Sequence, residues 1–309
     1  MLDKTKDILY DFKKNKILVL MLLPAVLYFF IFNYIPMVGL VMAFKRFDYS
    51  LGIFKSPGVG FENFRFFFES GKAFLVTRNT VLYNIVFMTV NTVLQVSIAI
   101  FLSEMKAKYF KKISQTMMLL PYFLSWVVVK AIIYNLFNYE FGSLNTFLKA
   151  VEMEPVDFMG NVAVWKYIIV IFCAWNQVGY GSIVYLAAIT SIDRTIYESA
   201  NIDGANIFQQ IFNITIPSIR PTIVILLLMG VGGIFRGNFD MFYQIVGNNG
   251  LLFNSTDVID TFVFRSVTSG GGEFGMTTAI GMYQSILCFA ILMVTNRIIK
   301  KIEPDYALF

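Results

Sequence analysis

The sequence predicts an all-α integral membrane protein with six transmembrane helices, and three observations carry that expectation. Of its 309 residues, 57% are hydrophobic and 15% charged, with a mean hydropathy of +0.66. Soluble domains hold about 45–50% apolar and about 25% charged residues, so the bilayer must act as part of this chain's solvent. The 33 Phe and 16 Tyr suit lipid-facing surfaces and interfacial belts. Finally, six apolar runs reach the roughly 20 residues that a helix needs to cross the hydrocarbon core.

The runs extend from about Ile17 to Phe44, Asn79 to Met105, Ile113 to Phe137, Val164 to Ile189, Thr222 to Phe242 and Met276 to Ile299. They divide the chain into an N-terminal segment (1–16), a transmembrane domain (17–302) and a short tail (303–309). Pro24 and Pro36 are expected to kink or interrupt the first run. That run follows Lys13, Lys14 and Lys16, yet it is too long for a signal peptide's apolar core and no A-x-A-like site follows. It reads as a retained anchor.

Orientation comes from the basic residues. Lys4, Lys6, Lys13, Lys14 and Lys16 precede the first run, Lys106, Lys108, Lys111 and Lys112 crowd the second connection, and Arg297, Lys300 and Lys301 close the sixth. With six helices these regions share one side, and short basic loops stay cytoplasmic, so both termini are expected inside. Lys45, Arg46, Lys55, Arg65 and Lys72 in the long first external loop run against that bias. The net charge of +5 thus reads as topological anchoring rather than a nucleic-acid surface.

Several chemistries drop out. The chain has no histidine, which removes His-based acid–base catalysis, Ser–His triads and most zinc chemistry. No catalytic or metal-ligating set is expected. Cys173 and Cys288 lie inside apolar runs and read as small core residues. No G-x-x-x-x-G-K-[ST] sequence occurs, so no cofactor is expected in this chain, and Gly270-Gly271-Gly272 reads as a flexible turn.

The one long cytoplasmic connection, 191–221, is the most informative stretch. Thr195 and Glu198 stand at capping-box spacing and would start a short helix. Gly204 is placed to end it in a left-handed conformation. Ile207, Phe208, Ile211 and Phe212 give a second short helix one apolar face, and Pro217 is expected to stop it before Arg220-Pro221 leads into the fifth span.

This stretch resembles the EAA loop of ABC importer permeases, whose pattern is Glu-Ala-Ala, three residues, Gly, nine residues, Ile-x-Leu-Pro. Here it reads Glu198-Ser199-Ala200, three residues, Gly204, nine residues, Ile214-x-Ile216-Pro217. Asn238-Phe239-Asp240-x-Phe242-Tyr243, Thr278-Ala279, Gly60-Phe61-Glu62-Asn63-Phe64 and Asp203-Gly204-Ala205 extend the likeness to MalF/MalG-type sugar permeases, closest to those handling complex oligosaccharides.

The resemblance implies a type I ABC importer transmembrane domain in a bacterial plasma membrane. Glu198, Ser199, Ala200, Asp203, Gly204, Ala205, Ile214 and Pro217 would form the coupling helix that docks on the ATPase. It further implies a second homologous permease subunit, a cytoplasmic ABC ATPase dimer that binds ATP and Mg, an extracellular substrate-binding protein, and an oligosaccharide as cargo. Polar groups within a bilayer are candidates for the pathway, and aromatic faces with amides and carboxylates suit sugars. Trp175, Asn176, Tyr180, Asn238, Asp240 and Tyr243 are the expected lining, against the alternative of helix–helix hydrogen bonding. An ion-coupled secondary transporter is the competing reading. It would call for intramembrane carboxylates or histidines, and the mid-membrane positions hold few.

Overall fold

The computed structural model describes residues 14–269 and 273–302. Lys4, Lys6, Lys13, the Gly270-Gly271-Gly272 turn and the 303–309 tail lie outside them. Among the described residues the chain is helical apart from its connections, with one isolated antiparallel bridge between Lys45 and Gly58.

Helix α1 spans Lys16–Phe44. Halfway along it widens into a π-turn at Phe30–Tyr34 and then tightens to 3-10 geometry over Ile35–Phe44. Pro36 has no N–H to return to the carbonyl of Phe32, and its ring crowds that turn, so the helix changes its winding there. Helix α2, Lys72–Glu104, has 33 residues, which at 1.5 Å per residue is about 50 Å, longer than the hydrocarbon core.

The third apolar run is not one straight helix. It is split into α3 (Lys108–Phe123) and α4 (Trp126–Phe137), which meet at 99°. Leu124 and Ser125 between them are extended. Pro121 lies in the last turn of α3, and Asn176 donates its side-chain amide to the Pro121 carbonyl at 2.7 Å. A break at membrane depth is tolerated only where other protein groups satisfy the freed backbone, and Asn176 adds a buried second donor to that carbonyl beside the Leu124 N–H.

Helix α5, Val162–Thr190, opens on Asn161, whose side chain accepts the Ala163 N–H at 3.0 Å. The short α6 (Arg194–Ile202) turns into α7 (Ile207–Gly232). The fifth span therefore begins at Ile207 rather than Thr222 and ends at Gly232 rather than Phe242. Pro217 does not stop it. A π-turn at Ile211–Thr215 just ahead of Pro217 makes room for the proline ring, and the helix runs on through Pro221. Phe242 belongs instead to α8 (Phe239–Val246), followed by α9 (Ile259–Ser269) and α10 (Phe274–Ile302).

The α2–α5 pair is the most extensive helix contact and forms the centre of the bundle. Lipid gives no hydrophobic drive for helix pairing, so close packing and hydrogen bonds must hold the bundle. Gly179 provides the closest approach: a Cβ there would fall 1.8 Å from the Met118 carbonyl oxygen. At the leading ends of α2 and α5, Tyr83, Trp165 and Phe172 pack with Trp126 of α4 and Phe242 of α8. At their trailing ends, Ala99, Leu102, Tyr185 and Ile189 pack with Ile219 of α7. Between these two apolar clusters the α2–α5 seam is polar.

Candidate functional site

The elbow between α5 and α7 is built by backbone closure. Asp193 caps α6, accepting the Thr195 N–H at 3.0 Å, and that hydrogen bond holds its carboxyl below the usual carboxylate range. Thr195 thus does not cap the helix as its spacing with Glu198 predicts; the helix starts at Arg194, so Thr195 already lies in its first turn and Asp193 is the cap. Ser199 turns back on α6, donating its hydroxyl to the Thr195 carbonyl at 2.9 Å.

The far end of α6 closes as the sequence leads one to expect. The Ala205 N–H reaches the Ala200 carbonyl at 2.9 Å and the Gly204 N–H reaches Asn201 at 3.1 Å, the paired bonds of a Schellman motif. Asp203 is the C-cap, its N–H on the Ser199 carbonyl at 3.0 Å. Gly204 has φ of +79°, a conformation that strains any residue with a Cβ.

A capping box does occur in the elbow, but at the start of its second helix rather than its first. Asn206 and Gln209 exchange side-chain bonds with each other's N–H at 2.9 and 2.8 Å and start α7. Two further links tie the elbow to α7: Tyr197 hydroxyl to Thr215 hydroxyl at 2.9 Å, and Gln210 amide to Asn201 at 2.7 Å. The result is a rigid bend. On its surface Glu198 is exposed with no hydrogen-bond or ion-pair partner among the described residues, while Ile202, at 87% exposure, Phe208 and Phe212 present bare apolar side chains. Ile214 is half-buried and Pro217 exposed where the bend passes into the span.

The second feature is a cavity of about 430 Å³ along the polar seam, walled by α2, α5, α7 and the turn before α8. Asn84, Asn91, Thr92 and Gln95 line it from α2, Gln177 and Tyr180 from α5. Asn91 donates to the Gln177 side chain and Gln95 to the Gln177 carbonyl, both at 3.4 Å. The Asn91 Oδ1 is buried with no partner among the described residues. A buried acceptor left open in a polar cavity is an invitation to a donor from outside the chain.

Of the expected pathway residues, Tyr180 and Asn238 border this cavity. Tyr180 stacks on Tyr122 with ring centres 4.4 Å apart, and Asn238 also caps α8 by accepting the Met241 N–H at 3.1 Å. Asn176 is buried and committed to Pro121, and Trp175 lines a separate, apolar groove against α3. Tyr243 stacks on Phe239 and meets Phe264 edge-on, and Asp240 is exposed in the first turn of α8. The α2 residues were not singled out from the sequence. Asn84, Asn91 and Gln95 recur at seven and four residues, one face of a helix, and that polar stripe in an apolar span was the available signal. No group of three or more His, Cys, Asp or Glu able to hold a metal ion occurs among the described residues.

The family described as "Binding-protein-dependent transport system inner membrane component" matches residues 95–306. Protein LplB of Bacillus subtilis is 32% identical over 294 residues, covering 95% of this chain and 91% of that protein. The polygalacturonan/rhamnogalacturonan transport system permease protein YteP of the same organism is 32% identical over 308 residues, covering 98% and 94%. Among solved structures, a chain of a bacterial ABC transporter involved in import of the acidic polysaccharide alginate superposes with a TM-score of 0.87 at 30% identity, covering 96% of this chain and 99% of that one. A second, of a bacterial alginate transporter with its pentasaccharide-bound periplasmic protein, gives 0.85 at 30% identity, covering 95% and 97%. The fold is thus that of an ABC importer permease, and the chain belongs to the family of binding-protein-dependent transport system inner membrane components.

Proposed function

We propose that this permease is one of two homologous subunits that enclose the path of an ATP-driven oligosaccharide importer, and that its elbow is the handle by which the ATPase moves it. The observation that carries the reading is the elbow itself: a short helix closed at both ends, tied to α7, with an unpaired carboxylate and bare apolar side chains on its surface. A surface of that kind fits a cleft on another polypeptide. Its rigid connection to α7 lets a push at α6 become a tilt of a span.

The basic ends of the chain favour both termini, and with them the elbow, on the cytoplasmic side of a bacterial plasma membrane. ATP and Mg would be bound by the partner ATPase dimer. Closure of that dimer supplies the free-energy difference that a switch between outward and inward states needs. An extracellular binding protein delivers the cargo at the opposite face. Within the membrane, amide side chains of Asn91, Gln95 and Gln177, with the Tyr180–Tyr122 stack, give hydroxyl-rich cargo hydrogen-bond partners and a flat apolar surface.

The complete importer in proteoliposomes tests this. Gly204→Arg places a long charged side chain at a left-handed position on the elbow. The variant complex is expected to insert and assemble, but binding-protein-stimulated ATP hydrolysis and uptake should fall at least tenfold. Full uptake by that variant, or labelling of a Glu198→Cys variant only from outside the cell, would overturn the reading.

A further inference from the structure

The turn between α7 and α8, residues 233–238, is the most heavily braced irregular segment around the cavity. Asn84 on α2 donates its amide to the carbonyls of Ile234 and Arg236, both at 2.9 Å. Gln284 on α10 donates to the Phe235 carbonyl at 2.7 Å. Asp260 on α9 accepts the Gly237 N–H at 2.6 Å and the Gln284 amide at 3.0 Å. Three helices thus hold the backbone of one turn.

What the turn presents is Arg236. Its side chain is exposed, and it is the only charged residue among those that line the cavity. Asp260 feels the Arg236 charge, but its carboxylate is already occupied by two N–H donors, and no ion pair joins it to Arg236 among the described residues. A guanidinium at the rim of a polar cavity, with no carboxylate paired to it among the described residues, is open to an anion from outside the chain.

Resting on the assignment of this cavity to the sugar path, we propose that Arg236 receives a carboxylate of the cargo, so that the oligosaccharide carried is one with uronic acid residues. The planar fork of Arg pairs with a carboxylate through two parallel hydrogen bonds. One guanidinium also matches one carboxylate's single charge, whereas a phosphate monoester carries about −1.5 to −2. The surrounding amides then serve the neutral part of the same molecule, the open Asn91 Oδ1 accepting a sugar hydroxyl.

The experiment is ATP-driven uptake by the complete importer in proteoliposomes, using a uronic acid trisaccharide and the same trisaccharide with its carboxyls methyl-esterified. Wild type should carry the acid form. Arg236→Gln should lower its uptake about tenfold or more, the loss of one charged hydrogen-bond pair, while Arg236→Lys restores at least part of it. Where the ester is also carried, Arg236→Gln should lower its uptake far less than that of the acid, because the ester carries no charge. Equal loss for acid and ester, or a Lys variant as poor as the Gln variant, would overturn the proposal and make Arg236 a structural residue. Carriage of neutral trisaccharides with no uptake of the acid form would sink it too, while leaving the importer reading intact. Failure of wild type to carry any oligosaccharide would instead refute the importer reading itself.

Discussion

The elbow at one end of the bundle and the 233–269 connection at the other solve the same problem in opposite ways. Both are irregular stretches that must hold a fixed shape beside a membrane. The elbow is held by its own neighbours: Asp193, Gly204, Asn206 and Gln209 satisfy backbone groups two to five residues away. The other connection is held by distant residues. Asn79 on α2 donates to the carbonyls of Asn254 and Asp257, Thr80 accepts the Ile259 N–H, and Asn84, Asp260 and Gln284 brace the turn. A locally closed element moves as a unit and can act as a lever. An element stitched to three helices moves only with them, and suits a fixed wall.

Breaking the buried ion pair inside the 233–269 connection should do the most damage. Asp257 and Arg265 form a buried ion pair, with Thr261 donating to Asp257 at 2.6 Å and the guanidinium lying 3.9 Å above the Phe253 ring. Asp257→Ala leaves that arginine buried without its partner, a loss of about 3–5 kcal/mol. Thermal inactivation of the purified complex should shift down sharply; an unchanged profile would mean the pair contributes nothing to holding this region.

Gly179→Val comes next. Its new side chain would overlap the α3 backbone, so α3 must move off α5, at a cost of about 1–3 kcal/mol or more. Cross-linking between cysteines placed at facing positions of α3 and α5 would report the separation, and wild-type cross-linking efficiency would contradict the packing described. Asn84→Leu removes the donor from two carbonyls and should cost about 1–3 kcal/mol, visible as faster proteolysis within 233–238; protection equal to wild type would show that Gln284 and Asp260 suffice.

The elbow should respond more mildly. Gly204→Ala keeps the side chain small but retains the left-handed strain, about 1–2 kcal/mol. Coupling, measured as the ratio of uptake to ATP hydrolysed, should fall while assembly holds. Smallest of all is Asp193→Ala, which frees the Thr195 N–H at an exposed helix start. Because the native carboxyl is held below its ordinary pKa, the capping contribution is present above the unfolded value and fades as pH falls through the folded one. The difference between wild type and Asp193→Ala in elbow hydrogen exchange should therefore vanish in acid; a difference that persisted there would rule out the carboxylate as the cap.

Much of the fold could be read directly from composition and run length, since crossing a bilayer demands long apolar helices whatever they pack against. The left-handed closure at Gly204 was equally legible, because a Schellman motif spans only a few residues. Where local rules misled, a competing local geometry won: the first elbow helix starts at Arg194 and takes Asp193 as its cap, and the π-turn at Ile211–Thr215 carried α7 through Pro217. The straight third span failed for a different reason. Pro121 alone does not demand a 99° bend; Asn176, distant in sequence, adds a buried second donor to the Pro121 carbonyl beside the Leu124 N–H.

The amino-acid order alone thus determined that the chain lives in a membrane, roughly where it crosses, and that an elbow with a glycine-closed helix separates two spans. Only the tertiary structure decided which polar residues share a cavity. Asn91 meets Gln177 because Gly179 and its neighbours let α2, α3 and α5 pack closely, and Arg236 reaches the rim because three other helices bond to the backbone of its turn. Hydrogen bonds along one helix follow a fixed period and can be counted from sequence. Those between helices depend on how each is rotated and set against the next, which is settled by the packing of the whole bundle.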